Sequence, residues 1–233
     1  MSLMPYTTNS MPTASSALIW KQKKRRIFGE LITEATVRSK ASWVAVHRSS
    51  KELLLTYESR GLVVSLYGGG ELPADHPEIK TAVALATWVA GHDGIVMHGG
   101  RGSGIMEAVS VAAGKLCLGV LFSEIRGEAV KQGDNAVVNA PTPRIELLGT
   151  CAPVIVIFRG GLGSFQVLMR AIVHVRNRKY HPEQPPQLIF VSDYWIGLLT
   201  TMMNLSVLPR EFLTELHFFH VLDDITKLIP SNP

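Results

Sequence analysis

The chain holds 233 residues, 46% of them hydrophobic and 18% charged, with 20 Gly and 13 Pro. That is one domain with appendages or at most two small ones, too apolar for wholesale disorder. Its longest apolar runs, such as Lys115–Phe122 and Pro153–Phe158, fall far short of the ~20 residues of a membrane span, so no transmembrane helix is expected. The formal charge of +4 is accompanied by a basic run at Lys21, Lys23, Lys24, Arg25 and Arg26. The rest of the chain is close to neutral, which makes nucleic acid an unlikely partner, since a coating protein needs a basic stripe on its folded surface.

In chain order, residues 1–16 are rich in Ser, Thr, Pro and Met and carry no charge; they read as a flexible tail. Residues 17–60 read as a helical extension. Within it the apolar Ala17–Trp20 precedes the basic run, the reverse of a secretory signal. From Gly61 to the C-terminus short apolar runs alternate with helix-length segments. Strands are predicted over Leu62–Tyr67, Ile95–His98, Leu116–Phe122, Asn135–Val138, Val154–Phe158, Leu188–Ser192 and His217–His220. Helices are predicted over His76–Val89, with Asp75 as its cap and Pro77 in its first turn, and over Gly104–Ala113, Pro143–Gly149, Ser164–Asn177 and Asp223–Leu228. Strands apolar throughout belong in a parallel sheet covered on both faces. The expected fold is α/β, a Rossmann-like doubly wound parallel sheet over residues 61–233 with an N-terminal helical extension.

Ligands of such sheets bind beyond the carboxyl ends of the strands, where strand order reverses. Three glycine clusters fall there: Gly68–Gly70, Gly99–Gly104 and Gly160–Gly163. The last two run into helices, whose first N–H groups and positive dipole end favour phosphate. The spacing is neither G-x-G-x-x-G with a following acidic residue nor a Walker A loop. Two cysteines, Cys117 and Cys151, and scattered histidines give no metal-ligand pattern. No metal and no resident cofactor is expected, and buried thiols suit a cytoplasmic location.

The segment Gly99-Gly100-Arg101-Gly102-Ser103-Gly104-Ile105-Met106-Glu107-Ala108 resembles the G-G-G-x-x-G-[IL]-M-[GE]-A motif of the LOG ("Lonely Guy") family, often labelled lysine decarboxylases. Arg159-Gly160-Gly161-Leu162-Gly163-Ser164-Phe165-Gln166-Val167 resembles that family's P-G-G-x-G-T-x-x-E, and Arg144 falls where it carries an arginine. The resemblance implies a Rossmann-like nucleotide-binding protein, a homo-oligomer, and a nucleoside 5′-monophosphate as ligand. In an active member the reaction is hydrolysis of the N-glycosidic bond, a phosphoribohydrolase activity. By the same resemblance Gly160, Gly161, Gly163 and Ser164 cradle the phosphate, Gly99, Gly100 and Gly104 let the second loop approach the nucleotide, and Arg144 stabilises charge at the ribose.

The departures bear on activity. Val167 stands where the family has its catalytic glutamate, and valine can neither stabilise an oxocarbenium-like sugar nor orient water. Arg159 and Arg101 replace the motif's proline and third glycine and add positive charge beside the cradle. Glu107, Glu71 and Asp75 are the candidate substitute carboxylates, Glu107 the best placed, with dipole stabilisation of its own helix as the alternative. His98, between a strand and a glycine turn, either contacts ligand or is satisfied by backbone groups. Three functions therefore stand side by side: an active phosphoribohydrolase, an inactive nucleotide or phosphate-ligand sensor, and a carrier of another anionic cofactor such as a pterin.

Overall fold

The computed structural model describes residues 62–122, 129–138, 140–177, 180 and 187–229. The expected tail and helical extension lie outside the described residues. Strands β1 (Val63–Tyr67), β2 (Ile95–His98), β3 (Cys117–Phe122), β4 (Asp134–Val138), β5 (Val154–Ile157), β6 (Leu188–Ser192) and β7 (Leu216–Phe219) form one seven-stranded sheet in the order β4-β3-β2-β1-β5-β6-β7. Every pairing in it is parallel. The α/β Rossmann-like class read from the sequence is the class observed. The inner strands are buried along their whole length, because helices cover both faces and neither face can be polar.

The helices are α1 (Pro77–Gly91), α2 (Gly104–Ala113), α3 (Pro141–Thr150), α4 (Leu162–Asn177), α5 (Ile196–Asn204) and α6 (Leu222–Thr226). Two apolar layers sandwich the sheet. One joins Leu85, Ala86 and Val89 of α1 with Ile105 and Val109 of α2. The other joins Leu147 and Leu148 of α3 with Val167, Leu168 and Ala171 of α4. Helix α1 starts at Pro77, whose missing N–H costs nothing in a first turn. Its N-cap is His76, not Asp75: the imidazole Nδ1 accepts the Glu78 N–H at 3.2 Å. Helix α5 was not predicted. Its core side is only Leu199, Met202 and Met203, and the exposed Ile196 and Leu198 blur that short stripe in the sequence. No helix among the described residues is long and apolar enough to cross a membrane.

The chain steps outward from β1 through β2 and β3 to β4, then returns to lay β5 on the other side of β1. Strand order therefore reverses between β1 and β5. The chain leaves these two strands toward opposite halves of the sheet, and a crevice opens beyond their ends.

Candidate functional site

A cavity of about 740 Å³ opens at that reversal, and residues of all three glycine turns line it. Gly160–Ser164, at the start of α4, form one wall. The first bond of that helix runs from the Phe165 N–H to the Gly161 carbonyl at 3.1 Å. The N–H groups of Leu162, Gly163 and Ser164 are thus the unpaired first donors of a helix start facing the cavity. Gly160 has to be glycine: a Cβ there would lie 2.9 Å from Ser164 Cβ and 3.0 Å from Gly69 N, and would also strike Ser164 Oγ.

The second helix start is used differently. Gly69 donates its N–H to Arg159 O at 2.7 Å and accepts the Ile105 N–H at 3.2 Å. One residue of the β1 turn thus ties the α4 turn to the α2 turn and occupies a donor of α2. Gly104, at φ +54°, is glycine because a side chain would enter the backbone of Gly69 and Gly70. Gly100, at φ +79°, donates to His98 Nδ1 at 2.9 Å and accepts from Val130 N at 2.9 Å. Gly99 lines the cavity, but Gly100 and Gly104 do not. The expectation that these two let the loop approach a ligand is corrected: Gly104 lets backbone approach backbone, and Gly100 leaves room for the Leu121 side chain.

Of the two alternatives for His98, satisfaction by backbone is the one observed, and its placement beside the ligand is corrected. It is fully buried behind the turn, accepting from Gly100 through Nδ1, which leaves its Nε2 proton facing Cys117 Sγ at 3.0 Å. Burial, with a contribution from the charge of Arg144, lowers its pKa to about 3. The ring is neutral and does not line the cavity. Burial likewise raises the Cys117 thiol to about 12, with Asp134 and Glu107 adding to the effect.

Arg144 and Arg101 do line the cavity. Arg144, in the first turn of α3, donates through Nε to Val120 O (2.7 Å) and through Nη2 to Gly99 O (2.6 Å). It thereby clamps β3 to the turn after β2 and presents a fixed guanidinium. Burial lowers its pKa, Tyr67 opposes that, and the nearby charge of Arg101 lowers it further. Arg159 sits at the rim with its guanidinium carbon 4.8 Å from the centre of the Tyr194 ring. The floor is apolar: Tyr67, Met106, Phe122, Leu148 and Val167. The Tyr67 hydroxyl is committed to Leu148 O at 2.9 Å.

Glu107 is not in the site. Met106 faces the cavity, and one helical step later Glu107 turns away. Its Oε2 is buried without a hydrogen-bond partner. The lining carboxylate among the described residues is Glu71, on the exposed loop after β1. Two contributors escaped the sequence. Glu78 of α1 accepts the Arg159 N–H with Oε2 and the Ser192 hydroxyl at 2.8 Å with Oε1, holding the β5 turn against the end of β6. In sequence it reads only as an acid in a helix's first turn. Tyr194 lies beyond both motifs and gave no signal.

The model of the SLOG cluster4 family matches residues 61–177, the stretch from β1 through α4 that contains all three glycine turns. The chain belongs to this family. It is a LOG-type Rossmann-like protein, as the motifs implied. No curated protein matches the chain by sequence. Among solved structures, the molybdenum cofactor binding protein from the phototrophic bacterium Rippkaea orientalis is similar at 19% identity and TM-score 0.54, over 72% of this chain and 94% of that one. The molybdenum cofactor carrier protein of Chlamydomonas reinhardtii is similar at 15% identity and TM-score 0.52, over 72% and 98%. DNA processing protein A from Helicobacter pylori, described for its single-stranded DNA binding mode, is similar at 14% identity and TM-score 0.50, over 75% and 83%. These likenesses show the fold. The third also overturns the expectation that nucleic acid is an unlikely partner, because the same fold occurs in a DNA-binding protein. A near-neutral total charge was a poor guide, since it says nothing of where charge collects: Arg101, Arg144 and Arg159 gather around this one cavity.

Proposed function

We propose that the cavity binds a nucleotide or nucleotide-like phosphate ligand and holds it without breaking its glycosidic bond. The observation that carries this reading is Val167, 2% exposed, in the floor where a hydrolase of this type needs a carboxylate. Glu107 faces elsewhere and Glu71 sits on an exposed loop, so neither replaces it from within the floor. Loss of a general base or of the charge partner of an oxocarbenium-like sugar costs ~10²–10⁴-fold in rate. The binding parts are all present. The α4 N–H groups and Ser164 suit a phosphate, Arg159 adds charge at the rim, and the apolar floor suits a planar heterocycle.

Titration calorimetry with AMP and other nucleoside monophosphates, followed by chromatography of the mixture, tests the reading. Binding without released base is expected; sustained base release overturns it. A second reading, carriage of a phosphate-bearing pterin as cargo, is favoured by the similarity to two proteins described as binding or carrying molybdenum cofactor. Pterin absorbance in the freshly purified protein, displaced by added nucleotide, would favour that reading.

A further inference from the structure

We propose that His76 grips the phosphate of the bound ligand, its imidazole Nε2–H donating to a phosphate oxygen held at the start of α4. The inference rests on the reading that the cavity binds a nucleotide-like phosphate ligand. It adds to that site a specificity-determining side chain that neither glycine motif contains.

His76 is half-buried and lines the cavity. As the N-cap of α1 it accepts the Glu78 N–H on Nδ1 at 3.2 Å. In a neutral imidazole one nitrogen carries the proton and the other accepts. The cap therefore places the proton on Nε2, and among the described residues no group accepts from it. Serine, threonine, asparagine and aspartate are the usual caps. A histidine fills that position with a second nitrogen left over, and here the ring stands on a cavity wall.

Glu78 sets where that donor stands. Its N–H meets His76, its Oε2 accepts the Arg159 N–H, and its Oε1 accepts the Ser192 hydroxyl at 2.8 Å. One residue thus spans the distance from His76 to the turn that opens the α4 cradle, and both ends of that span line the cavity. This flank offers donors: the His76 Nε2–H, the Arg159 guanidinium over the Tyr194 ring, and the N–H groups of Leu162, Gly163 and Ser164. The carboxylate beside them, Glu78, already accepts a hydrogen bond on each oxygen. A flank dominated by donors calls for an oxygen-rich anion, and a phosphate monoester brings three acceptor oxygens. A base edge, which mixes donors with acceptors, matches it less well.

His76→Ser tests the inference, because serine still caps a helix while it removes Nε2. Calorimetry on the full chain is expected to show AMP bound about tenfold more weakly, the scale of one charge-assisted hydrogen bond. Thermal unfolding of the same variant should stay close to wild type. His76→Ala loses cap and donor together and should fall in both measurements. In the wild-type protein, NMR of the His76 ring nitrogens should show the Nε2 signal moving on addition of AMP and staying in place with adenosine. Three results overturn the inference and leave the proposed function standing: AMP affinity of folded His76→Ser within about twofold of wild type, an affinity loss accompanied by the same fall in Tm as His76→Ala, or an Nε2 signal that adenosine moves as far as AMP does. If the wild-type protein binds no nucleotide, both fall.

Discussion

Removing the Glu78 carboxylate should loosen the phosphate wall from outside the cavity. Glu78 accepts the Arg159 N–H and the Ser192 hydroxyl, and Arg159 O in turn accepts from Gly69. One carboxylate therefore anchors the turn that begins the α4 cradle. Hydrogen bonds to a charged group contribute ~1.5–3 kcal/mol each. Glu78 is only half-buried and water competes, so the lower end applies, about 2–3 kcal/mol for the pair. In a domain of this size that is a fall in Tm of roughly 5–10 °C for Glu78→Ala. Glu78→Gln should be much milder. Its amide oxygen can still accept from Arg159, and its NH₂ can donate to Ser192 Oγ, the atom that also accepts the Tyr194 N–H at 3.3 Å. The assay is thermal unfolding beside calorimetric affinity for AMP, and the expected order in both is wild type, Gln, Ala. An alanine variant with a Tm within about 1 °C of wild type and unchanged affinity would refute the reasoning.

Three further outcomes are expected. Gly160→Ala places a methyl 3.0 Å from Gly69 N and against Ser164, so nucleotide affinity should drop about tenfold or more in calorimetry while circular dichroism stays native. Val167→Glu puts a carboxylate in the floor and should produce slow base release from AMP above the wild-type background, measured by chromatography; wild-type turnover equal to the variant's would remove the argument. His98, with its pKa lowered to about 3 in the fold from 6.5, binds a proton in the unfolded chain first, so stability should fall as pH drops below about 6.5, by up to ~1.4 kcal/mol per pH unit. Urea unfolding at pH 7, 5.5 and 4.5 should show this slope, and His98→Asn should flatten it.

The sheet was legible because its strands are buried on both faces and read as unbroken apolar runs, as in Val154–Ile157 and Leu188–Ser192. Helix α2 was legible to the residue, Gly104–Ala113, because a glycine turn opens it and a glycine closes it. The position of the cavity was legible too, since a switch point follows from strand order and Gly160–Ser164 lie beside it. Individual roles were harder. A glycine that lines a cavity and one that only makes room for the rest of the fold leave the same letter, so Gly100 and Gly104 could not be told from Gly99 and Gly160. Glu107 failed on helical phase: neighbours differ by about 100°, which separates a residue facing the cavity, Met106, from one facing β3. Glu78 was illegible because its partner, Arg159, is far along the chain, and no local pattern reports such a contact.

The exchange of a carboxylate for Val167 changes where the molecule stores its electrostatic cost. Val167 belongs both to the apolar layer under α4 and to the cavity floor. A glutamate at that boundary would be desolvated by the same neighbours that pack the valine, so a hydrolase would destabilise its own core there. With valine, the position satisfies ordinary packing rules and that penalty is gone. It has not vanished from the site, however. Arg144 is desolvated and feels the charge of Arg101, and its guanidinium is fixed at the cavity by Val120 O and Gly99 O. Where local rules are broken in a fold that obeys them elsewhere, function is the expected reason. On the proposed reading the broken rule, the desolvated Arg144, lies where a ligand would be gripped, and the position that would carry a cleaving carboxylate, Val167, is packed as core.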